Sequence, residues 1–266
     1  MLRNRLIFGA LMTLAFVGIV LLDKGRPELL IGIIVVLEIA GLFELSKLAS
    51  AKGIKILLPV SLPITLMLVT SPFWEEFFPE VHYEVLLAFG IMACFLYQRI
   101  RYGISGVLAN CGGACFSIMY LGLAIFIMAV RIEFGVWHLL MLIFVVKCSD
   151  IGAFTFGRLF GRHKFSPVIS PKKTWEGMIG AVIFAAVVAV GFAVSCDIMS
   201  WRSGVIFGVI FAFLGQLGDL AESMLKRDAE VKDSSNNVPG FGGILDVVDS
   251  LLVTAPFGYL FFQLVQ

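Results

Sequence analysis

The chain has 266 residues, of which 59% are hydrophobic and 15% charged, with a mean hydropathy of +0.98. Soluble domains carry about 45–50% apolar and about 25% charged residues, so a water-soluble globule is excluded. Twenty basic side chains against nineteen acidic ones leave a formal charge of +1, which argues against a nucleic-acid partner and against an acidic disordered tail.

The remaining class is an all-α polytopic integral membrane protein, because only helices or closed barrels satisfy their backbone groups in lipid. A helical span needs roughly 20 mostly apolar residues. In chain order, nine stretches meet that need: Leu6 to Leu22, Leu29 to Leu48, Ile56 to Thr70, Val81 to Tyr97, Gly106 to Val130, Val136 to Phe160, Thr174 to Val194, Ser203 to Lys226 and Ile244 to Val265. The first follows Arg3 and Arg5 in the manner of a signal peptide, but residues 23–28 hold no small-residue cleavage pattern and a second span follows directly, so it reads as a retained helix. Alternate loops receive fifteen and four Lys or Arg residues. Short loops rich in these residues stay in the cytoplasm, which predicts a cytoplasmic N-terminus and a C-terminus outside. All four tryptophans (Trp74, Trp137, Trp175, Trp201) fall at span edges, where amphipathic rings meet the headgroups.

No fixed-period repeat or Pro-rich linker divides the chain, so one integrated membrane domain is expected. Residues 1–135 would form a lipid-facing scaffold, and residues 136–266 would carry the chemistry. Five cysteines make an odd count in apolar surroundings, which implies no disulfide framework. None of the three histidines lies near the acidic residues discussed next, which disfavours histidine acid–base catalysis.

The eighth span ends with Asp219, Glu222 and Lys226 at i, i+3 and i+7, on one helical face. Each such group held in a bilayer costs several kcal/mol unless paired or hydrated, so the stripe is not there for stability. The ninth span opens with Asp246 and Asp249, again i and i+3. If the two ends converge, four carboxylates share one spot, and a divalent cation is the usual remedy for their repulsion. Between them, Pro239-Gly240-Phe241-Gly242-Gly243 precedes a helix start. Its glycines free the backbone to turn N–H groups toward an anion, and the helix N-terminus adds about half a positive charge. Lys226, Arg227 and Lys232 supply cations nearby.

A second cluster, Ser166 to Gly177, holds the Lys172–Lys173 pair on an inside loop, with a helix start at Thr174 and Glu176 in its first turn. Within the sixth span Lys147 and Asp150 stand at i, i+3, able to neutralise each other or to face a water-filled cavity. Plainer roles compete for several of these residues. Loop lysines also serve topology and attract anionic lipid, and Lys147–Asp150 would serve equally as an ion pair between packed helices. The four clustered carboxylates have no comparable packing role.

The run from Ser223 through Lys226-Arg227, Lys232-Asp233, Pro239-Gly240 and Gly242-Gly243 to Asp246, Asp249 and Ser250 spans 28 residues. It resembles the C-terminal signature of the phosphatidate cytidylyltransferases, also called CDP-diacylglycerol synthases. Asp150 to Gly157 and Ser170 to Gly177 resemble other segments of that family, so about a third of the chain carries recognisable motif. Phe241 stands where the family usually has His, and Val247 where it usually has Arg, His or Gln.

The resemblance implies condensation of CTP with phosphatidate to CDP-diacylglycerol and pyrophosphate. It makes Asp219 and Asp246 principal Mg2+ ligands, with Glu222 and Asp249 as additional ones, and leaves room for a monovalent ion such as K+. Lys226 and Arg227 would neutralise developing charge. Lys172, Lys173, Ser223, Asp150 and the Gly240, Gly242, Gly243 loop would contact substrate. No general base is required, because a phosphate monoester, with a second pKa of about 6, is already ionised at neutral pH. The implied setting is a cytoplasmic membrane with the site on its cytosolic side, membrane lipid and CTP as partners, no nucleic acid, and apolar faces compatible with a homodimer. Two other readings compete: a CTP-dependent polyprenol kinase with similar groups, and a cation transporter, which would predict internal symmetry that the sequence lacks.

Overall fold

The computed structural model describes residues 17–21, 27–74, 82–235, 238 and 242–265. Most of the first expected span lies outside these residues. The described helices are α1 (Glu28–Ala51), α2 (Leu58–Trp74), α3 (Tyr83–Tyr102), α4 (Val107–Gly122), α5 (Ile125–Glu133), α6 (Val136–Phe160), α7 (Trp175–Ser195), α8 (Trp201–Asp228) and α9 (Leu245–Val265). Among the described residues, seven stretches are long and apolar enough to cross a membrane, with α4 and α5 together forming one of them, and α2 is a shorter apolar helix. The all-α polytopic membrane class therefore holds.

Three details depart from the sequence expectations. The fifth span is broken at Leu123–Ala124, where Ala124 N donates to Leu121 O and Phe126 N to Leu123 O, i to i+3 bonds that tighten the turn. The loop before the seventh span is not irregular: β1 (Lys164–Ser166) pairs antiparallel with β2 (Ser170–Thr174) around a turn at 167–169. Pro167, with its φ preset for a turn, favours that reversal. Lys164 Nζ reaches across to Pro171 O at 2.6 Å, and the Phe165 and Trp175 rings meet edge to face at 4.7 Å. Finally, helices outrun their expected ends: α2 by four residues to Trp74, α3 by five to Tyr102 and α8 by two to Asp228.

The chain falls into two compact units. The first joins Met1–Ile132 to Asp228–Val247. Its core packs Leu57, Val60, Leu68, Cys94, Cys111, Ala114 and Ile118 from α2, α3, α4 and the approach to α2. A buried polar tie closes the ends of these helices. Gln98 Nε2 donates to Ser105 O at 2.8 Å, Asn110 Nδ2 donates to Gln98 Oε1 at 3.1 Å, and Lys55 N donates to Asn110 Oδ1 at 2.9 Å. Each of these polar groups would cost free energy if buried unpaired.

The second unit joins Glu133–Arg227 to Val248–Gln266. Here Phe207 of α8, fully buried, stacks on Phe211 at 3.9 Å and on Phe262 of α9 at 5.3 Å. Thr174 caps α7 by accepting from Gly177 N at 3.1 Å, as the sequence predicts, so the hairpin feeds straight into a helix. Glu176 then fastens the other side of the hairpin, accepting from Arg162 N at 3.1 Å and bonding His163 Nδ1 at 2.6 Å.

Replacing Phe207 with Ala should remove this aromatic stack and leave a cavity, costing about 3 kcal/mol. A lower thermal midpoint of the detergent-purified protein would register the loss. An unchanged midpoint would show that the stack contributes nothing.

Candidate active site

Within the second unit, α9 comes in tightly against α8 at Gly218. A Cβ on that residue would stand 2.9 Å from Ser250 Cα and 3.2 Å from Asp249 O, closer than packing permits. The missing side chain lets the two backbones cross, as small residues commonly do between membrane helices. The next residue on α8 is Asp219, and the partner position on α9 is Asp249. With Glu222 one turn further along α8, each of the three carboxylates offers an oxygen within 4.8 Å of the other two. Glu222 and Asp249 are buried at 0% and 2% exposure, whereas Asp219 is about a third open.

Lysines balance this group. Lys226, four residues after Glu222 on the same face, forms a buried ion pair with it. Lys173, delivered by β2, pairs with Asp219 and also donates to Gln216 O at 3.1 Å. The strand's alternation turns Lys172 the other way, where it is exposed. On α6, Asp150 accepts from Gln216 Nε2 at 3.2 Å and lies 3.9 Å from Lys147 Nζ, and Lys147 itself donates to Ser250 Oγ at 3.2 Å. The pair expected from spacing therefore exists, and it is linked through Gln216 and Ser250 to the α8–α9 crossing.

With all groups ionised, Asp150, Asp219, Glu222 and Asp249 exceed Lys147, Lys173 and Lys226 by one negative charge. Three hard oxygen donors with a negative excess suit a divalent cation such as Mg2+, which uses one or two carboxylates and fills its shell with water and phosphate oxygens. Arg227 Nε donates to Ile169 O at 3.2 Å, at the hairpin turn. Ser223 is half-buried on α8, next to Glu222.

Asp246 belongs to the first unit. Its Oδ2 accepts from Ser234 N at 3.0 Å and from Gly243 N at 2.7 Å, and lies 2.8 Å from Ser234 Oγ. In the same unit Glu44 of α1 accepts from Ile244 N at 3.0 Å and Leu245 N at 2.9 Å. The N–H groups of Gly243, Ile244 and Leu245, which the sequence reading assigns to phosphate, thus point at two carboxylates. The reason is that a helix N-terminus is served equally well by a protein carboxylate as by a ligand anion. Gly242 adopts the positive φ of +105° expected of a loop glycine, and its N–H donates to Val238 O at 3.1 Å. Gly240 lies outside the described residues.

Sequence reasoning missed Glu44 and Gln216. Glu44 did carry a signal, since an acid inside an apolar span is itself a pointer to function. Gln216 carried none, because one amide within a span is unremarkable.

Fold and site together describe a polytopic helical membrane protein with a carboxylate–lysine centre at the crossing of two spans. A model of the Cytidylyltransferase family matches residues 3–265, and the chain belongs to that family. Among curated relatives, the chain is 42% identical over 142 residues to the phosphatidate cytidylyltransferase of Staphylococcus saprophyticus, an alignment covering 53% of this chain and 54% of the relative. It is 42% identical over 134 residues to the Haemophilus influenzae protein of the same name, covering 48% and 46% respectively. It is 40% identical over 143 residues to that of Staphylococcus aureus, covering 53% and 54%. The chain thus spans about half the length of the curated relatives it matches.

The buried Lys226–Glu222 pair yields a sharp prediction. Lys226→Met alone strands a buried carboxylate and should cost about 3–5 kcal/mol of stability, whereas the Lys226→Met/Glu222→Gln double variant should recover most of it. Thermal midpoints of the three proteins in one detergent check this. A single variant as stable as the parent would contradict the buried pair.

Proposed function

We propose that this protein is a CTP:phosphatidate cytidylyltransferase, forming CDP-diacylglycerol and pyrophosphate at the cytosolic face of the cytoplasmic membrane. The observation that carries the reading is the Asp219, Glu222, Asp249 group, flanked by Lys173 and Lys226. Family membership and the names of the relatives support the substrates.

The reaction joins two anions: a phosphate monoester oxygen of the lipid attacks the α-phosphorus of CTP, and pyrophosphate leaves. Repulsion between the two is the main barrier to bringing them in line, and positioned positive charge is the remedy. Asp219, Glu222 and Asp249 would hold Mg2+, and the resemblance to the family's C-terminal signature makes Asp246 of the first unit a proposed cation ligand as well. Bound there, the ion would supply positive charge to the nucleotide phosphates and to the departing pyrophosphate. Lys173 reaches the carboxylate group from the hairpin and would turn its ammonium to a phosphate oxygen when Asp219 engages the metal. Lys226 keeps Glu222 fixed and offsets charge at the leaving group. Lys172, exposed on the other face of β2, would meet the lipid phosphate, and Asp150 with Lys147 would set the electrostatic floor of the site. No side chain need act as a base, since the attacking phosphate is already ionised. The apolar faces of the spans leave the acyl chains in the bilayer.

Purified protein given phosphatidate, Mg2+ and α-labelled CTP should move label into lipid with one pyrophosphate released per lipid labelled. EDTA should stop both. Asp219→Asn and Asp249→Asn should each lower kcat about 100-fold or more, the scale of losing a group that stabilises transition-state charge. Release of CDP instead, with γ-label appearing on a polyprenol acceptor, would replace this reading with a lipid kinase. Ion flux without CTP turnover would replace it with a transporter.

A further inference from the structure

Glu44 lies about two turns before the end of α1, in an apolar span, and is 3% exposed. It is no part of the carboxylate group at the α8–α9 crossing, and no motif in the sequence marks it. Its two oxygens nevertheless collect four donors from a segment about 190 to 200 residues away. Oε1 accepts from Ser235 Oγ at 2.6 Å and Ile244 N at 3.0 Å. Oε2 accepts from Ser234 Oγ at 2.8 Å and Leu245 N at 2.9 Å. One carboxylate thereby ties the strand of loop entering at Ser234–Ser235 to the first turn of α9.

The same donors border Asp246. Ser234 Oγ is 2.8 Å from Glu44 Oε2 and 2.8 Å from Asp246 Oδ2, while Ser234 N and Gly243 N both donate to that Oδ2. The hydroxyl has one proton for these two acceptors, so it donates to one carboxylate at a time while standing within reach of both. Packing here leaves no slack: a Cβ on Gly243 would collide with both Ser234 Oγ and Glu44 Oε2. Stability alone does not account for this arrangement, because burying an acid in an apolar span is costly and a neutral cap on α9 would serve the helix as well.

We propose that Glu44 is a positioning residue for the transfer reaction: its carboxylate clamps the 234–235 and 243–245 backbone and so fixes the orientation of the Asp246 carboxylate. The inference rests on the proposed role of Asp246 as a cation ligand. Groups that orient a ligand in this way tune metal affinity about 10–100-fold without touching the metal. Glu44→Gln is the informative change. The amide keeps the shape but places two N–H donors where the carboxylate had an acceptor, so Ile244 N or Leu245 N loses its partner. Glu44→Asp keeps the charge on a shorter stem and should restore part of the effect.

The test is equilibrium binding of Mn2+ alone to the full-length, detergent-purified protein, read by electron paramagnetic resonance. The parent is compared with Glu44→Gln, Asp246→Asn and the double variant. Glu44→Gln should weaken Mn2+ binding about tenfold, and the double variant should be no weaker than Asp246→Asn alone, because both changes act on one ligand. Parental Mn2+ affinity in Glu44→Gln, with Asp246→Asn weakened, would overturn the clamp and leave the reading of Asp246 standing. Losses that multiply in the double variant would also overturn it, since Glu44 would then act independently of Asp246. Parental affinity in Asp246→Asn would overturn the assignment of Asp246 and the clamp with it. If Glu44→Gln fails to fold, Ser235→Ala removes one donor and leaves the carboxylate. It should weaken Mn2+ binding about threefold to tenfold, and parental affinity there would equally overturn the proposal.

Discussion

The crossing of α8 and α9 at Gly218 is the constraint on which the candidate site depends. Helices bearing side chains at their contact normally keep about 8–10 Å between axes. With no Cβ at Gly218, the backbone of Ser250 comes in against it, and the residues next to the contact, Asp219 and Asp249, are forced into the same small volume. Three acids within 4.8 Å are unfavourable for an unassisted fold. The structure meets that cost with lysines from two directions, one on the same helix and one from a hairpin.

The hairpin explains why its sequence combines turn-formers with adjacent lysines. Strand geometry sends neighbouring side chains to opposite faces, so Lys173 enters the site and Lys172 remains exposed. Thr174 ends the strand and caps α7 in one step, and Arg227 at the end of α8 holds the turn through Ile169 O. A segment that would otherwise be a loose loop is thus fastened at its tip by Arg227 and at its base by Thr174 and Glu176, which fixes the reach of Lys173.

Much of this was legible in the sequence because membrane insertion writes its requirements locally. The span Val136 to Phe160 matches α6 at both ends, and the tryptophans sit at helix ends, since hydropathy and interfacial chemistry act residue by residue. The i, i+3 spacing of Asp219 and Glu222, and the Lys147–Asp150 pair, were visible for the same reason: one helix determines them. What depended on contacts between distant segments was not visible. The cross-strand pairing of Lys164 with Thr174 leaves no alternation in segments of three and five residues. The partner of Lys173 is 46 residues away in sequence, and Glu44 meets its donors across some 200. The helix-start N–H groups at 243–245 illustrate the limit well. Their capacity to bind an anion was readable, but the anion that takes them is supplied by this chain itself.

The central claim is that the Asp219, Glu222, Asp249 group holds a divalent cation. The most direct measurement is a Mn2+ titration of the purified protein without substrate, compared with Asp249→Asn. The parent should bind Mn2+ saturably, with Mg2+ displacing it, and binding should weaken about tenfold or more when Asp249 loses its charge. Equal affinity in the two proteins, or no saturable site in the parent, would contradict the claim.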